Sequence, residues 1–125
     1  MARILIAEDE RDVREFLTRA LAHKGHDVTA VADGGEALEA LQASSYDLLL
    51  TDIVMPQVDG VALALKVTKE FPGLRIVMMT GYAAQQERAH NLGALVHEVV
   101  SKPFTMAEIC EVVEAALAAP LHSPS

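Results

Sequence analysis

The sequence predicts an α/β fold: one domain built on a five-stranded parallel sheet with helices on both faces. Three observations carry that prediction. Short apolar runs alternate along the 125 residues with stretches whose apolar positions recur at helical spacing. The links between these stretches are short, as in successive βα units. Four of the apolar runs also end on polar groups, namely Glu8-Asp9, Asp52, Thr80-Gly81 and Ser101-Lys102-Pro103. Strands buried on both faces read as unbroken apolar runs, and in open α/β sheets ligands gather at the carboxyl edge.

Each element has its own signal. Arg3 to Ala7 is the first strand. Val13, Phe16, Leu17, Ala20 and Leu21 form the apolar stripe of the first helix, which Gly25 ends. Asp27 to Val31 is the second strand, and Ala37, Leu38 and Leu41 mark the second helix. Ser44-Ser45-Tyr46-Asp47 turns the chain into the third strand, Leu48 to Thr51, which stops on Asp52 and breaks at Pro56. A third helix starts near Asp59-Gly60, carries Leu63, Ala64 and Val67, and stops by Phe71-Pro72-Gly73. Ile76 to Met79 is the fourth strand. Ala83 to Asn91 is a polar, Ala-rich fourth helix closed by Gly93, and Val96 to Val100 is the fifth strand. In the last helix Met106, Ile109, Cys110, Val113, Ala116 and Leu117 lie on one stripe, and Thr105 with Glu108 reads as a capping box. Right-handed crossovers and short links favour the flavodoxin-like strand order 2-1-3-4-5, whose switch point lies between strands one and three. Residues 1–119 are expected to form the domain and 120–125 a disordered tail.

Composition narrows the function. A net charge of −8 argues against nucleic acid as a direct partner, since phosphate binding needs clustered Lys and Arg. Half the residues are apolar and none is Trp, so the core is aliphatic. The lone Cys110 excludes an internal disulfide and is expected to pack in the last helix; Met78-Met79 reads as core strand. His23, His26, His90, His97 and His122 show no ligand spacing and read as surface or incidental. No signal peptide precedes the first strand and no apolar run approaches membrane-spanning length, so a soluble cytoplasmic protein is expected.

The topology brings Glu8, Asp9 and Asp52 together. Two unit charges roughly 4 Å apart repel by about 4 kcal/mol at an effective dielectric near 20, so protons or a cation must relieve the site. All-oxygen ligation suits Mg²⁺, and a carboxylate beside such an ion, with Lys102 and Thr80 nearby, is equipped to accept a phosphoryl group.

Taken together, Ala7-Glu8-Asp9, Leu50-Thr51-Asp52-Ile53-Val54-Met55-Pro56 with Asp59-Gly60, Met79-Thr80-Gly81 and Ser101-Lys102-Pro103-Phe104 resemble the motifs of a bacterial two-component response-regulator receiver (CheY-like) domain, from Arg3 through about Leu117. The resemblance implies that Asp52 is the phosphoacceptor, served by a histidine kinase or a histidine phosphotransfer protein. It implies that Asp9 binds Mg²⁺ directly, Glu8 through water, and Asp52 and the Val54 carbonyl complete the protein ligands. Thr80 and Lys102 would contact the phosphoryl oxygens, Gly60 and Pro103 would be structural, and Lys102-Pro103 would be a cis peptide.

The chain also departs from the usual receiver pattern. The switch aromatic of the fifth strand is replaced by Val99, and Tyr82, two residues after Thr80, is expected to report phosphorylation instead. Val54 and Tyr82 stand where the family tunes hydrolysis, and neither offers a carboxylate or amide to orient an attacking water, which predicts slow self-dephosphorylation. Output is expected through the fourth helix, fifth strand and fifth helix of a monomer or weak dimer with no output domain. The same runs look similar to CpdR-type single-domain regulators, which act as adaptors of an AAA+ protease, and to receivers that serve as phosphorelay intermediates. Two rivals are an aspartyl hydrolase, which would want Asp-x-Asp where Asp52-Ile53-Val54 stands, and a phosphorylation-independent binding module, which would not need the acids and lysine it keeps.

Overall fold

A computed structural model describes residues 2–53, 60–81 and 96–119. Val54, Tyr82, the helix expected at 83–91, His90, His122 and the tail 120–125 lie outside the described residues. The elements are β1 (Arg3–Ala7), α1 (Arg11–His23), β2 (Asp27–Val31), α2 (Gly34–Ala43), β3 (Leu48–Asp52), α3 (Gly60–Glu70), β4 (Arg75–Thr80), β5 (Glu98–Ser101) and a C-terminal helix, α4 (Met106–Ala118). The strands form one parallel sheet in the order β2-β1-β3-β4-β5, as the sequence predicts.

Alternation along each strand splits the core in two. Leu5, Leu49, Ile76 and Met78 face Ala37, Leu41, Leu63, Ala64 and Val67 of α2 and α3. Ile4, Ile6, Leu48, Leu50, Val77 and Met79 face Leu17, Leu21, Ile109 and Val113 of α1 and α4. Every residue of β3 is buried, which is why three leucines in a row, with Thr51 after them, lead up to the acid that ends it. Cys110 packs in the second core, where its thiol sits 3.7 Å from the Ala20 carbonyl. Burial pushes that thiol's pKa up, so it is a packing residue rather than a nucleophile.

Local chemistry fixes the element ends. Gly25, at φ 92°, ends α1 in the left-handed region, and the amides of Gly25 and His26 close on the carbonyls of Ala22 and Leu21. The Thr105–Glu108 capping box is present in both directions. A second cap went unread in the sequence: the Asp33 carboxylate accepts the Glu36 amide, and Glu36 reaches back to the amide of Ala32.

Two features differ from the sequence reading. β5 begins at Glu98 rather than Val96; Val96 is buried in the core ahead of the strand, and the ladder is joined through the His97 amide and the Ile76 carbonyl. Two histidines are structural rather than incidental. The nearly buried His26 ring accepts the Ala2 amide at Nδ1 and meets Glu114 at 2.7 Å through Nε2, tying the α1–β2 connection to α4. His97 accepts the Ile76 amide at Nδ1.

Gly60 decides how closely α3 approaches the end of β3. A Cβ there would lie 2.1 Å from the Asp52 carbonyl oxygen and 2.6 Å from the Ile53 Cα, while the Gly60 amide donates to the Ile53 carbonyl at 2.8 Å. Gly60→Ala therefore destabilises the protein by about 1–3 kcal/mol or more in chemical denaturation, although Ala is the better helix former by roughly 1 kcal/mol. Gly73→Ala meets nothing within 4 Å and is expected to leave stability unchanged within about 1 kcal/mol.

Candidate functional site

The register of the sheet assembles the site. Ala7 lies opposite Thr51, so Glu8 and Asp52 leave β1 and β3 at the same level. Asp52 lies opposite Met79, which places Thr80 one residue further along β4. Thr80 lies opposite Ser101, and the next residue is Lys102, whose amide donates to the Thr80 carbonyl at 2.7 Å. Four of the residues singled out in the sequence thus converge at one edge.

Lys102 starts two strands from β3, a separation of roughly 10 Å, and only a long side chain can return across it. Its ammonium donates to Asp52 Oδ2 at 2.6 Å and to Glu8 Oε1 at 2.8 Å. Burial alone would lower the lysine's pKa, but the hydrogen bonds to Asp52 and Glu8, with their charges, more than reverse that and raise it. The Lys102–Pro103 peptide is cis, as expected.

Glu8 is completely buried. Its Oε2 accepts the Glu10 amide at 3.0 Å, so both carboxylate oxygens have partners. Burial nevertheless pushes its pKa up to about 7, helped by the Asp52 charge and opposed by the Lys102 and Glu10 hydrogen bonds. Asp9 is exposed, at the mouth of the site, and one carboxylate oxygen from each of Glu8, Asp9 and Asp52 lies within 4.8 Å of the others. Thr80 is fully buried, and its hydroxyl has no hydrogen-bond partner among the described residues.

This donor set fits a hard divalent cation. The ligand atoms are all carboxylate oxygens, and the bridging ammonium already holds a positive charge between two of them. The unsatisfied Thr80 hydroxyl fits an incoming oxygen-rich ligand, because a buried hydroxyl without a partner is uncommon in native structures. Val54 and Tyr82, expected to add a carbonyl ligand and a switch aromatic, lie outside the described residues. Val99, at the place of the missing aromatic, is half-buried and packs against the α2–α3 core.

Arg14 was not read as a site residue. Its guanidinium donates to the Glu8 carbonyl at 2.9 Å and makes a longer 3.5 Å contact to the Asp9 carbonyl. A single arginine in the first turns of an amphipathic helix gives no sequence signal of such a contact.

The raised Glu8 pKa has a signed consequence. The folded protein holds this proton more tightly than the unfolded chain, so the stabilisation is present below 4.5 and is lost as pH rises through about 7. In metal-free buffer the melting temperature should fall over that window, and Glu8→Gln should flatten the fall. A Glu8→Gln protein with the wild-type slope would overturn this assignment.

The chain matches the response regulator receiver domain model over residues 4–114. It is 42% identical over 119 residues to the response regulator receiver protein CpdR of Brucella abortus, covering 95% of this chain and 99% of that protein. It is 32% identical over 107 residues to the transcriptional regulatory protein TcrA of Mycobacterium tuberculosis, covering 86% of this chain but 42% of that longer protein. Among solved structures, the response regulator TrrA of Thermotoga maritima in complex with Mg²⁺-BeF superposes with a TM-score of 0.83 at 31% identity, over 93% of this chain and 99% of that one. A receiver domain protein from Clostridium thermocellum superposes at 0.85 over 94% of each chain, and at 22% identity it shows the fold alone. With the sheet order, the acidic edge and these likenesses in agreement, the chain belongs to the response regulator receiver domain family.

Proposed function

We propose that this receiver is a phosphorylation-driven switch in which Asp52 accepts a phosphoryl group from the phosphohistidine of a histidine kinase or histidine phosphotransfer protein. The observation that carries the reading is the Lys102 ammonium 2.6 Å from Asp52 Oδ2, at the strand end where the buried Thr80 hydroxyl has no partner among the described residues. An Asp52 carboxylate oxygen attacks phosphorus, the P–N bond to the donor imidazole breaks with its electron pair going to the ring nitrogen, and an aspartyl phosphate forms. Lys102 then turns a hydrogen bond from the carboxylate to a phosphoryl oxygen, and the Thr80 hydroxyl donates to another. Glu8, Asp9 and Asp52, with the Val54 carbonyl, would hold Mg²⁺, which supplies charge neutralisation for the transferring group.

Receivers are signalling phosphoacceptors rather than turnover enzymes, and we assign no external substrate to this one. Among the described residues no helix is long and apolar enough to cross a membrane. We place its work in the cytoplasm, where an ATP-fed kinase supplies the phosphoryl group. The receiver unit is taken as residues 1–119. Its output passes to a protein partner through the region from residue 83 to the C-terminal helix, with Tyr82 as reporter. The likeness to CpdR supports an AAA+ protease component as that partner.

Intact mass after treatment with acetyl phosphate and Mg²⁺ tests the phosphoacceptor. The wild type should gain one phosphoryl group and Asp52→Ala none; an adduct that persists in Asp52→Ala places the acceptor elsewhere. Lys102→Met should slow phosphorylation on the order of 100-fold, the effect of losing one preorganised donor to developing charge. Partner capture with and without beryllofluoride tests the output: a partner set that does not change excludes a switch.

A further inference from the structure

We propose that Arg14 is a positioning residue for cation binding, holding the main chain that carries Asp9 so that its carboxylate faces the site. The inference rests on the proposed phosphoacceptor reading, in which Glu8, Asp9 and Asp52 hold Mg²⁺.

The three acids are held very differently. Asp52 ends a fully buried strand, and its carboxylate meets the Lys102 ammonium. Glu8 is buried, its amide continues the β1–β2 ladder to the Val31 carbonyl, and both carboxylate oxygens accept hydrogen bonds. Asp9 is exposed and belongs to neither β1 nor α1, which ends at Ala7 and begins at Arg11 respectively. Where its carboxylate sits depends on the peptide units on either side of it.

Arg14 reaches those units from one turn inside α1. Its Nη1 donates to the Glu8 carbonyl at 2.9 Å and contacts the Asp9 carbonyl at 3.5 Å. Its own backbone is anchored at both sides, by its amide on the Glu10 carbonyl at 2.9 Å and by the Thr18 hydroxyl on its carbonyl at 2.8 Å. One guanidinium nitrogen therefore spans the two carbonyls that follow the first two acids, from a helix packed on the sheet. Mg²⁺ demands near-ideal octahedral placement of its ligands, and outer groups that orient ligands are worth roughly 10–100-fold in metal affinity.

The sign of the effect separates positioning from simple charge. Arg14 is a cation near a cation site, so field alone says that removing it should tighten Mg²⁺ binding. Positioning says the opposite. Arg14→Met keeps most of the apolar stem and deletes the donors; Arg14→Lys keeps the charge but loses the planar guanidinium. Arg11→Met removes the same charge from an exposed neighbour paired with Glu15, and serves as the field control.

Isothermal calorimetry with Mg²⁺ alone reads the result on the unphosphorylated full chain. Arg14→Met should weaken the dissociation constant about 10-fold or more, Arg14→Lys should weaken it less, and Arg11→Met should leave it unchanged or tighter. At saturating Mg²⁺ the phosphorylation rate of Arg14→Met should return to within about 3-fold of wild type, a split that general loss of structure would not give. Equal or tighter Mg²⁺ binding in Arg14→Met, or a rate deficit that saturating metal does not relieve, overturns the proposal. If Arg14→Met does not fold, Arg14→Lys carries the test alone, and wild-type affinity in it overturns the proposal. Wild-type protein that binds no Mg²⁺ would instead bring down the phosphoacceptor reading itself.

Discussion

The crowding of three carboxylates at the end of a buried sheet is the constraint around which the site is built. Their oxygens lie within 4.8 Å of one another, and two of the three acids are buried. Such a group stays charged only where a cation faces it. The protein answers in two ways at once: Lys102 bridges Glu8 and Asp52, and Glu8 has its pKa raised to about 7 by burial. Neither answer is final. A lysine on four rotatable carbons can exchange partners, and a carboxyl with its pKa raised to about 7 can release its proton to solvent when a metal binds in its place. The same electrostatics that would penalise an inert core makes this edge responsive to an added cation or anion.

That responsiveness needs a rigid frame. Two separate apolar cores clamp the sheet from both faces, and β3 is buried along its whole length, so the Asp52 backbone has little freedom. Gly60 brings α3 to within direct contact of the Asp52 carbonyl, where any larger residue would push the strand end and helix apart. Asp52, the proposed phosphoacceptor, therefore sits on a stiff strand, while the long Lys102 side chain and the hydroxyl rotor of Thr80 have the freedom to turn.

Most of this was legible in the sequence, because the signals are local and repeat. Four of the strands announce themselves as largely apolar runs, and each ends on or just before the residue it delivers to the site: Glu8, Asp52, Thr80 and Lys102. The capping box of the last helix was legible for the same reason. What escaped were long-range pairings made by single polar residues. His26 ties α4 to the amino terminus through Ala2 and Glu114, and Arg14 reaches back to the Glu8 and Asp9 carbonyls. Spacing cannot reveal such contacts, since they depend on which element packs beside which. β5 was read two residues too early because Val96 is as apolar as a strand residue but enters the core before the strand begins.

Lys102 joins the chemistry to the rest of the fold. Its amide is bonded to the Thr80 carbonyl, so the two groups that would contact the phosphoryl oxygens are already coupled through the β4–β5 ladder. Two residues later Phe104 packs against Phe16 of α1 at 6.3 Å between ring centroids, and Thr105 caps α4. In the proposed switch, a shift of the ammonium from carboxylate to phosphoryl oxygen would act on a short segment whose far end fixes the start of the C-terminal helix. A ligand can shift an equilibrium only by its differential contacts with the two states, and in the proposed switch those contacts would be the hydrogen bonds exchanged by Lys102 and Thr80. Edge strand β5, half-exposed along its length, stands beside those contacts at one margin of the sheet. In the proposed switch, strain introduced at the buried acids would reach that edge through the bond between the Lys102 amide and the Thr80 carbonyl, which is the physical reason to look for the partner on that side of the molecule.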